Sequence, residues 1–499
     1  MLAATTRFMS RRVSALNRTR SIAKHMSGAA VTKPPSGADS EPVVRFESTL
    51  GLRSYILNRP KKLNALNVEM LELLRPKIEE WDNAELCNVI AGQGSGRAFC
   101  AGGDVETVIA YAADEETRHK AIDFFKREFE LDYLVSTLRK PYVAILDGFT
   151  MGGGVGLAAG APFRVATENT TFSMPETNIG YSPDVGASYF MSRLDGEIGT
   201  YLALTSDTLK GRAVFDHGFA THFIPARRIP MLLDRLSNLE TTDKTTIDRT
   251  LEELCTEREQ EEPPAPFVGE KRVALDHAFR HDRVERVVAE LELFAADTNP
   301  EISQWAKQTL DTLHRRSPTS LKVALKAIRL GKKQTLLEAL KMELKIATAF
   351  CNGASPDFAT GVTAVLVTKS KERPNWNPAT LEEVTDEIVE RFFSSYSPFL
   401  HDAPTIGNTI GESKVVRGHS GRTQLRYTLP TEQDIRDVIT GADPASGDMG
   451  YTREDLLEYY HDSRAGKIGV NEKVLEVVRR KTTVVDNNDG NFVWLRWNP

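Results

Sequence analysis

Apolar and polar positions repeat with two different periods along this chain, and the change of period divides it into parts. Val43-Val-Arg-Phe-Glu-Ser-Thr49 and Leu52-Arg-Ser-Tyr-Ile-Leu-Asn58 alternate every second residue around Leu50-Gly51, so they read as a hairpin. Asn67 is placed to cap a helix carrying Met70, Leu71, Leu73, Leu74, Ile78 and Trp81 at helical spacing. Cys87-Asn-Val-Ile-Ala91 is predicted as a third strand, and a long charged helical stretch follows Asp104 to about Leu138. Tyr142-Val-Ala-Ile-Leu146 has five apolar residues without alternation, which suits a strand covered on both faces. Phe163-Arg-Val-Ala-Thr167 and Thr171-Phe-Ser-Met174 resemble a second hairpin. From Ile229 to Arg316 nothing strand-like appears, and amphipathic helical patterns take over, interrupted by Pro263-Pro-Ala-Pro266. Ser317-Pro318 opens another helix, and helices continue to about Phe393.

Past Ser394 the pattern weakens. Ser394 to Gly421 is rich in Gly, Ser, Thr and Pro and reads as a linker. Capped helices are predicted over Thr431 to Thr440 and Thr452 to His461, a third from Asn471, and a hairpin turning at Asp489-Gly490. Strand pairs alternating with helices make the class α/β. The expected divisions are a core over 43–228, a helical region covering it over 229–393, and a small C-terminal extension over 394–499 suited to docking.

Composition changes the picture at one end. Overall the 499 residues are 40% hydrophobic and 26% charged, as in a soluble globular protein of more than one domain. Residues 1–38 carry no Asp or Glu but do carry Arg7, Arg11, Arg12, Arg18, Arg20, Lys24 and Lys33 among scattered apolar residues. That is the profile of a mitochondrial transit peptide. Losing these seven cations takes the formal net charge from −6 to −13, which disfavours general nucleic-acid binding and leaves only local basic patches for it. The four cysteines (Cys87, Cys100, Cys255, Cys351) show no paired spacing, so neither a disulfide framework nor a zinc site is expected.

The candidate chemistry sits on two glycine loops. Gly152-Gly-Gly154 follows the apolar strand, and Ala101-Gly-Gly103 follows another. Such loops expose backbone N–H groups to a close ligand and can stabilise an oxyanion or bind a phosphate. Two N–H groups converging on one oxygen are what acyl transfer needs. Glu176 and Asp184 lie in the apolar, glycine-rich stretch Met174 to Gly186, where a carboxylate tends toward a raised pKa and can serve as base or nucleophile. Rival chemistries lack their partners. Gly154-Val-Gly-Leu-Ala-Ala159 matches the dinucleotide fingerprint but lacks its strand spacing and its following acid, there is no Walker loop or Gly-x-Ser-x-Gly elbow, and His277 and His281 lack the Glu of a zinc helix.

Leu57-Asn-Arg-Pro60, Leu63-Asn-Ala-Leu66, Ala98-Phe-Cys-Ala-Gly-Gly-Asp104 and Met151 to Leu157 resemble the enoyl-CoA hydratase/isomerase (crotonase) superfamily. Pro175 to Gly186, Ser317 to Lys322, Phe358 to Leu366 and Trp376 to Val384 resemble its 3-hydroxyisobutyryl-CoA hydrolase branch. The resemblance implies a core of repeated ββα units and hydrolysis of 3-hydroxyisobutyryl-CoA in valine breakdown in the mitochondrial matrix. It implies no resident cofactor, since CoA belongs to the substrate. It also implies an oxyanion hole from the N–H groups of Gly103 and Gly153, catalysis by Glu176, positioning by Asp184, and substrate contact by Glu128 together with Gly153, Glu176 and Asp184. Hydratases of the superfamily carry a second Glu where this chain has Gly156, so hydrolysis fits better than hydration. Some fungal relatives are also proteins of the mitochondrial ribosome's small subunit. The extension, with Lys414, Arg417, Arg422, Arg426 and Arg479-Arg-Lys481, therefore suggests the alternative of a ribosomal subunit built on a hydrolase fold, contacting protein and rRNA.

Overall fold

The computed structural model describes residues 41–407, 427–447, 450–486 and 493–498. The proposed transit peptide, the Asp489-Gly490 turn and the basic residues at 414, 417, 422 and 426 lie outside them.

The first hairpin forms as expected. Strands β1 (Val44–Thr49) and β2 (Leu52–Leu57) pair antiparallel, with Leu50 in the left-handed region at the turn. Asn67 accepts the Met70 N–H at 3.0 Å and caps the helix Val68–Asn83, whose apolar stripe of Met70, Leu71, Leu74, Ile78 and Trp81 is buried. Strands β3 (Val89–Gly94), β5 (Tyr142–Leu146), β7 (Phe163–Ala166) and β10 (His222–Phe223) extend this hairpin into a six-stranded sheet of order β1-β2-β3-β5-β7-β10. Strands β4 (Ala98–Cys100), β6 (Phe149–Met151), β8 (Thr171–Ser173) and β9 (Leu209–Lys210) form a second, four-stranded sheet of order β4-β6-β8-β9.

The unalternated run of β5 is buried on both faces. Val143 and Ile145 pack outward against Ile229, Leu232, Leu236, Ile247 and Leu251 of the helices Ile229–Ser237 and Lys244–Glu252. Tyr142, Ala144 and Leu146 face the main core on the other side.

Two expectations for the first half of the chain need correction. Phe163–Ala166 and Thr171–Ser173 are not a hairpin: the Thr167–Thr170 turn sends β7 into one sheet and β8 into the other. β3 and β4, and β5 and β6, divide in the same way, so the repeating unit contributes one strand to each sheet. Alternation within a strand cannot distinguish this from a hairpin. The long charged helix is two, Val105–Ala113 and Arg118–Ser136, broken at Asp114 to Thr117, where the Asp114 side chain accepts the Glu116 N–H and competes with the helix ladder.

From Val43 the chain forms one compact unit. The helices Pro300–Arg315, Pro318–Gly331 and Leu336–Cys351 cover the core, the last opened by a capping box of Thr335 and Glu338. The linker expectation fails over its first part: Leu400 and Ile406 are buried in the main core. Beyond it stand Glu432–Ile439, Arg453–Ser463 and Val470–Lys481, then the paired strands β11 (Thr482–Asp486) and β12 (Val493–Trp497). This extension is tied to the body by charge. Lys473 meets Asp195 at 2.6 Å, and Arg272 of the body and Arg480 of the extension share Glu432 at 3.2 and 2.9 Å. Of the basic run 479–481, Arg480 and Lys481 are engaged with Glu432, while Arg479 stays exposed.

Candidate active site

β4 and β6 run parallel and side by side, so their C-terminal ends deliver both glycine loops to one place. Gly102 (φ +106°) and Gly152 (φ +47°) adopt backbone conformations that favour glycine. Gly103 bridges Leu66 through the Gly102 carbonyl and the Asp104 N–H, at 2.8 Å each, which leaves its own N–H out of the bridge. Gly153 opens the helix Gly153–Ala159, where the first N–H groups have no intrahelical acceptor. A Cβ placed on Gly153 would lie 3.4 Å from the Gly103 nitrogen, and one on Gly102 would lie 3.9 Å from the Gly153 nitrogen. The two donors therefore border one small space, into which Glu128 Oε1 reaches.

Carboxyls surround that space. β8 lies beside β6, and its end places Glu176, first residue of the short helix Glu176–Ile179, against the second loop: a Cβ on Gly152 would stand 2.9 Å from Glu176 Oε1. Glu128, on the helix Arg118–Ser136, approaches from the other side; a Cβ on Gly103 would stand 3.8 Å from its Oε1, and one on Gly153 would collide with it. Asp184 is buried behind Glu176 and accepts the Tyr181 hydroxyl at 3.0 Å. All five candidate residues converge.

Burial and mutual repulsion act together here. Burial, then Glu176, pushes the Glu128 carboxyl up to about 8. Burial, then the charge of Glu343, pushes Glu176 up to about 8. Asp184 lies well above the usual carboxylate range through burial and then Glu176 and Glu128. Glu128 Oε1 and Glu176 Oε2 are buried with no hydrogen-bond partner. Buried polar atoms are rarely left so, and two such oxygens beside two free N–H groups form a cradle for a polar ligand. The arrangement can polarise a carbonyl and take a proton from a nucleophile on the adjoining face.

Sequence reasoning missed two members of this group. Asp132, one turn after Glu128, has both oxygens buried without a partner, and burial pushes it well above the usual range. Glu343 comes from the helix Leu336–Cys351 and is 1% exposed. The signal was an acid interrupting an apolar helical stripe, at Asp132 after Phe124, Phe125 and Phe129, and at Glu343 among Leu340, Leu344 and Ala347.

Other clusters lack such convergence. Cys100 is a core thiol, pushed up to about 12 by burial. His277 and His281 both face Glu290 at 3.4 Å. His222, Asp248 and Glu252 have ligand-type atoms within 4.8 Å of one another, but the Lys467 ammonium already sits on Glu252 as its cation. A cleft of about 850 Å³ lies elsewhere, lined by Asp216, Arg258, Phe267, Arg272, Lys473 and Arg480 among others. Its charges are largely spent in ion pairs, such as Arg258 with Asp216 and Lys473 with Asp195.

Two layers of sheet, each repeat feeding both, bring two glycine loops together under buried carboxyls, an arrangement able to stabilise charge on an acyl oxygen. The sequence profile of the enoyl-CoA hydratase/isomerase family matches residues 52–393, and the chain belongs to that family. It is 40% identical over 466 residues to the small ribosomal subunit protein mS47 of Neurospora crassa, covering 91% of this chain and 88% of that one. It is 38% identical to the mitochondrial 3-hydroxyisobutyryl-CoA hydrolase of Gallus gallus, covering 79% of this chain and 97% of the hydrolase. A crystal structure of a carnitinyl-CoA dehydratase from Mycobacterium thermoresistibile superposes with a TM-score of 0.63 at 32% identity, covering 72% of this chain and 98% of that one. Among the described residues no helix is long and apolar enough to cross a membrane.

Proposed function

We propose that the chain hydrolyses 3-hydroxyisobutyryl-CoA to 3-hydroxyisobutyrate and CoA in the mitochondrial matrix, without a resident cofactor. The observation that carries this is the convergence of the Gly103 and Gly153 N–H groups beside Glu176. The thioester carbonyl oxygen takes both N–H groups as donors. Ionised Glu176 draws a proton from a water molecule, whose oxygen forms a bond to the carbonyl carbon as the C=O electrons move onto oxygen. The tetrahedral intermediate then collapses, the C–S bond breaks, and the proton held by Glu176 passes to the leaving sulfur. Asp184 fixes the water and the acid, and Glu128 holds the substrate near the thioester. Gly156 leaves no second hydratase acid on its own helix, which favours hydrolysis over water addition to an alkene.

A second reading runs beside it. Residues before Ser394 make up less than four-fifths of the chain, so a match covering 91% of it must run into the extension. The hydrolase match covers 79%. This difference supports association of the protein with the small subunit of the mitochondrial ribosome through residues 394–499. Purified protein assayed for thiol release from 3-hydroxyisobutyryl-CoA tests the first reading, and its failure to release thiol overturns it. Gradient fractionation of mitochondria, with the same assay on each fraction, tests the second.

A further inference from the structure

We propose that Glu343 is a positioning residue of this site: it clamps the Val185 turn so that Asp184 is held against Glu176, and its charge tunes the pH dependence of turnover. The inference rests on the hydrolase reading above. Both Glu343 oxygens are used on that turn. Oε2 accepts the Gly186 N–H at 2.6 Å, while Oε1 accepts the Ser188 N–H at 2.8 Å and the Ser188 hydroxyl at 2.6 Å. All three partners are donors, so the group is held as an acceptor-only carboxylate. No cation pairs with it among the described residues.

The turn needs holding. Val185 has φ +56°, a left-handed conformation that a β-branched residue rarely adopts, and Gly186 follows at φ +89°. Asp184 immediately precedes this pair. A turn of that kind persists only where its surroundings fix it, and here the fixing group comes from a helix some 150 residues later in sequence.

The charged and titratable neighbours of Glu343 are mostly other acids. The helix Arg118–Ser136 brings Asp132, the short helix Glu176–Ile179 brings Glu176, and the following loop brings Asp184. Tyr189 of the helix Ala187–Phe190 is stacked under Arg193, and Glu106 of Val105–Ala113 pairs with Lys62. The cations of Pro318–Gly331 are engaged elsewhere: Lys322 with Glu285, Lys326 with Glu390, and Arg329 with Glu197 and Asp282. Burial pushes Glu343 up to about 7, with its three donors pulling the other way, and it raises Glu176, Asp184 and Asp132 in turn.

Two substitutions separate position from charge. Glu343→Gln removes the negative charge facing Glu176, so the ascending limb of the kcat–pH profile should move to lower pH by roughly one unit. Glu343→Asp keeps the charge but withdraws it by one methylene, so kcat should fall at least tenfold with KM and the limb little changed. A purely structural role would lower the yield of folded enzyme without moving the limb. If Glu343→Gln does not fold, Ser188→Ala removes one donor, favours protonation of Glu343, and should shift the limb in the same direction by less. Folded Glu343→Gln with wild-type kcat and an unmoved limb overturns the inference. If the wild-type enzyme releases no thiol from 3-hydroxyisobutyryl-CoA, it is the proposed hydrolysis that fails.

Discussion

Gly156 lies directly against Asp132: a Cβ placed on Gly156 would stand 2.7 Å from Asp132 Oδ2 and 2.6 Å from the Val185 Cβ. The position where hydratases of the superfamily carry a second acid is therefore not vacant space here. It is filled by a carboxyl from the helix Arg118–Ser136 and by the strained turn after Asp184. Gly156→Ala should cost about 1–3 kcal/mol by overpacking. Gly156→Glu should cost more and should not hydrate crotonyl-CoA. Thermal melts and a hydration assay on both variants check this, and a stable, hydrating Gly156→Glu enzyme would refute it.

Glu176→Gln replaces the proposed base by a neutral isostere in a group of carboxyls that repel one another. The fold should hold or gain stability, while thioester hydrolysis should fall on the order of a hundredfold or more. Near-normal turnover by the folded variant would remove Glu176 from the mechanism.

Asp132 has no hydrogen-bond partner, and burial raises it well above the usual carboxylate range. A raised folded-state pKa means that the folded protein binds a proton the unfolded chain releases. The contribution is fully present below the unfolded value near 4 and is lost as pH rises through the folded value. Asp132→Asn carries no ionisable group, so it should match the wild type at or below about pH 4 and melt at least about 2 °C higher near pH 9. Equal melting temperatures at both pH values would mean that Asp132 is not held protonated.

Some of this was legible in the sequence for physical reasons. Helix ends announced themselves at Asn67, Ser317, Thr431 and Thr452, because a side chain that caps a helix is itself the signal. The glycine loops were legible because their backbone angles favour glycine. What could not be read was which sheet a short strand joins, since β7 and β8 carry the same alternation whether they pair with each other or part at Thr167. Glu343 was hidden for a related reason: its partners at Gly186 and Ser188 are brought to it only by tertiary packing. The engagement of Arg480 by Glu432 was hidden likewise, because Glu432 lies on another helix and meets it only once the two are docked.

The extension gives the last prediction, because its contacts separate stability from docking. Lys473 with Asp195, Lys467 with Glu252, and Tyr427 against the Phe163 ring at 4.7 Å all join it to the body. Ending the chain after Gly407 would strip partners from the buried Arg272 and from Asp195, so the truncated enzyme should melt several degrees lower. Loss of ribosome association by that truncation would then be ambiguous. Arg479 offers a cleaner probe, since it is exposed and no ion pair holds it among the described residues. Arg479→Ala should leave melting temperature and hydrolysis unchanged. If this face meets rRNA, the variant should bind small subunits more weakly at low salt and flatten the log K against log salt slope by roughly one phosphate contact. Co-sedimentation with purified mitochondrial small subunits across a salt series measures this. Full-length protein that stays at the top of the gradient at every salt concentration would end the ribosomal reading and leave the extension as part of the enzyme.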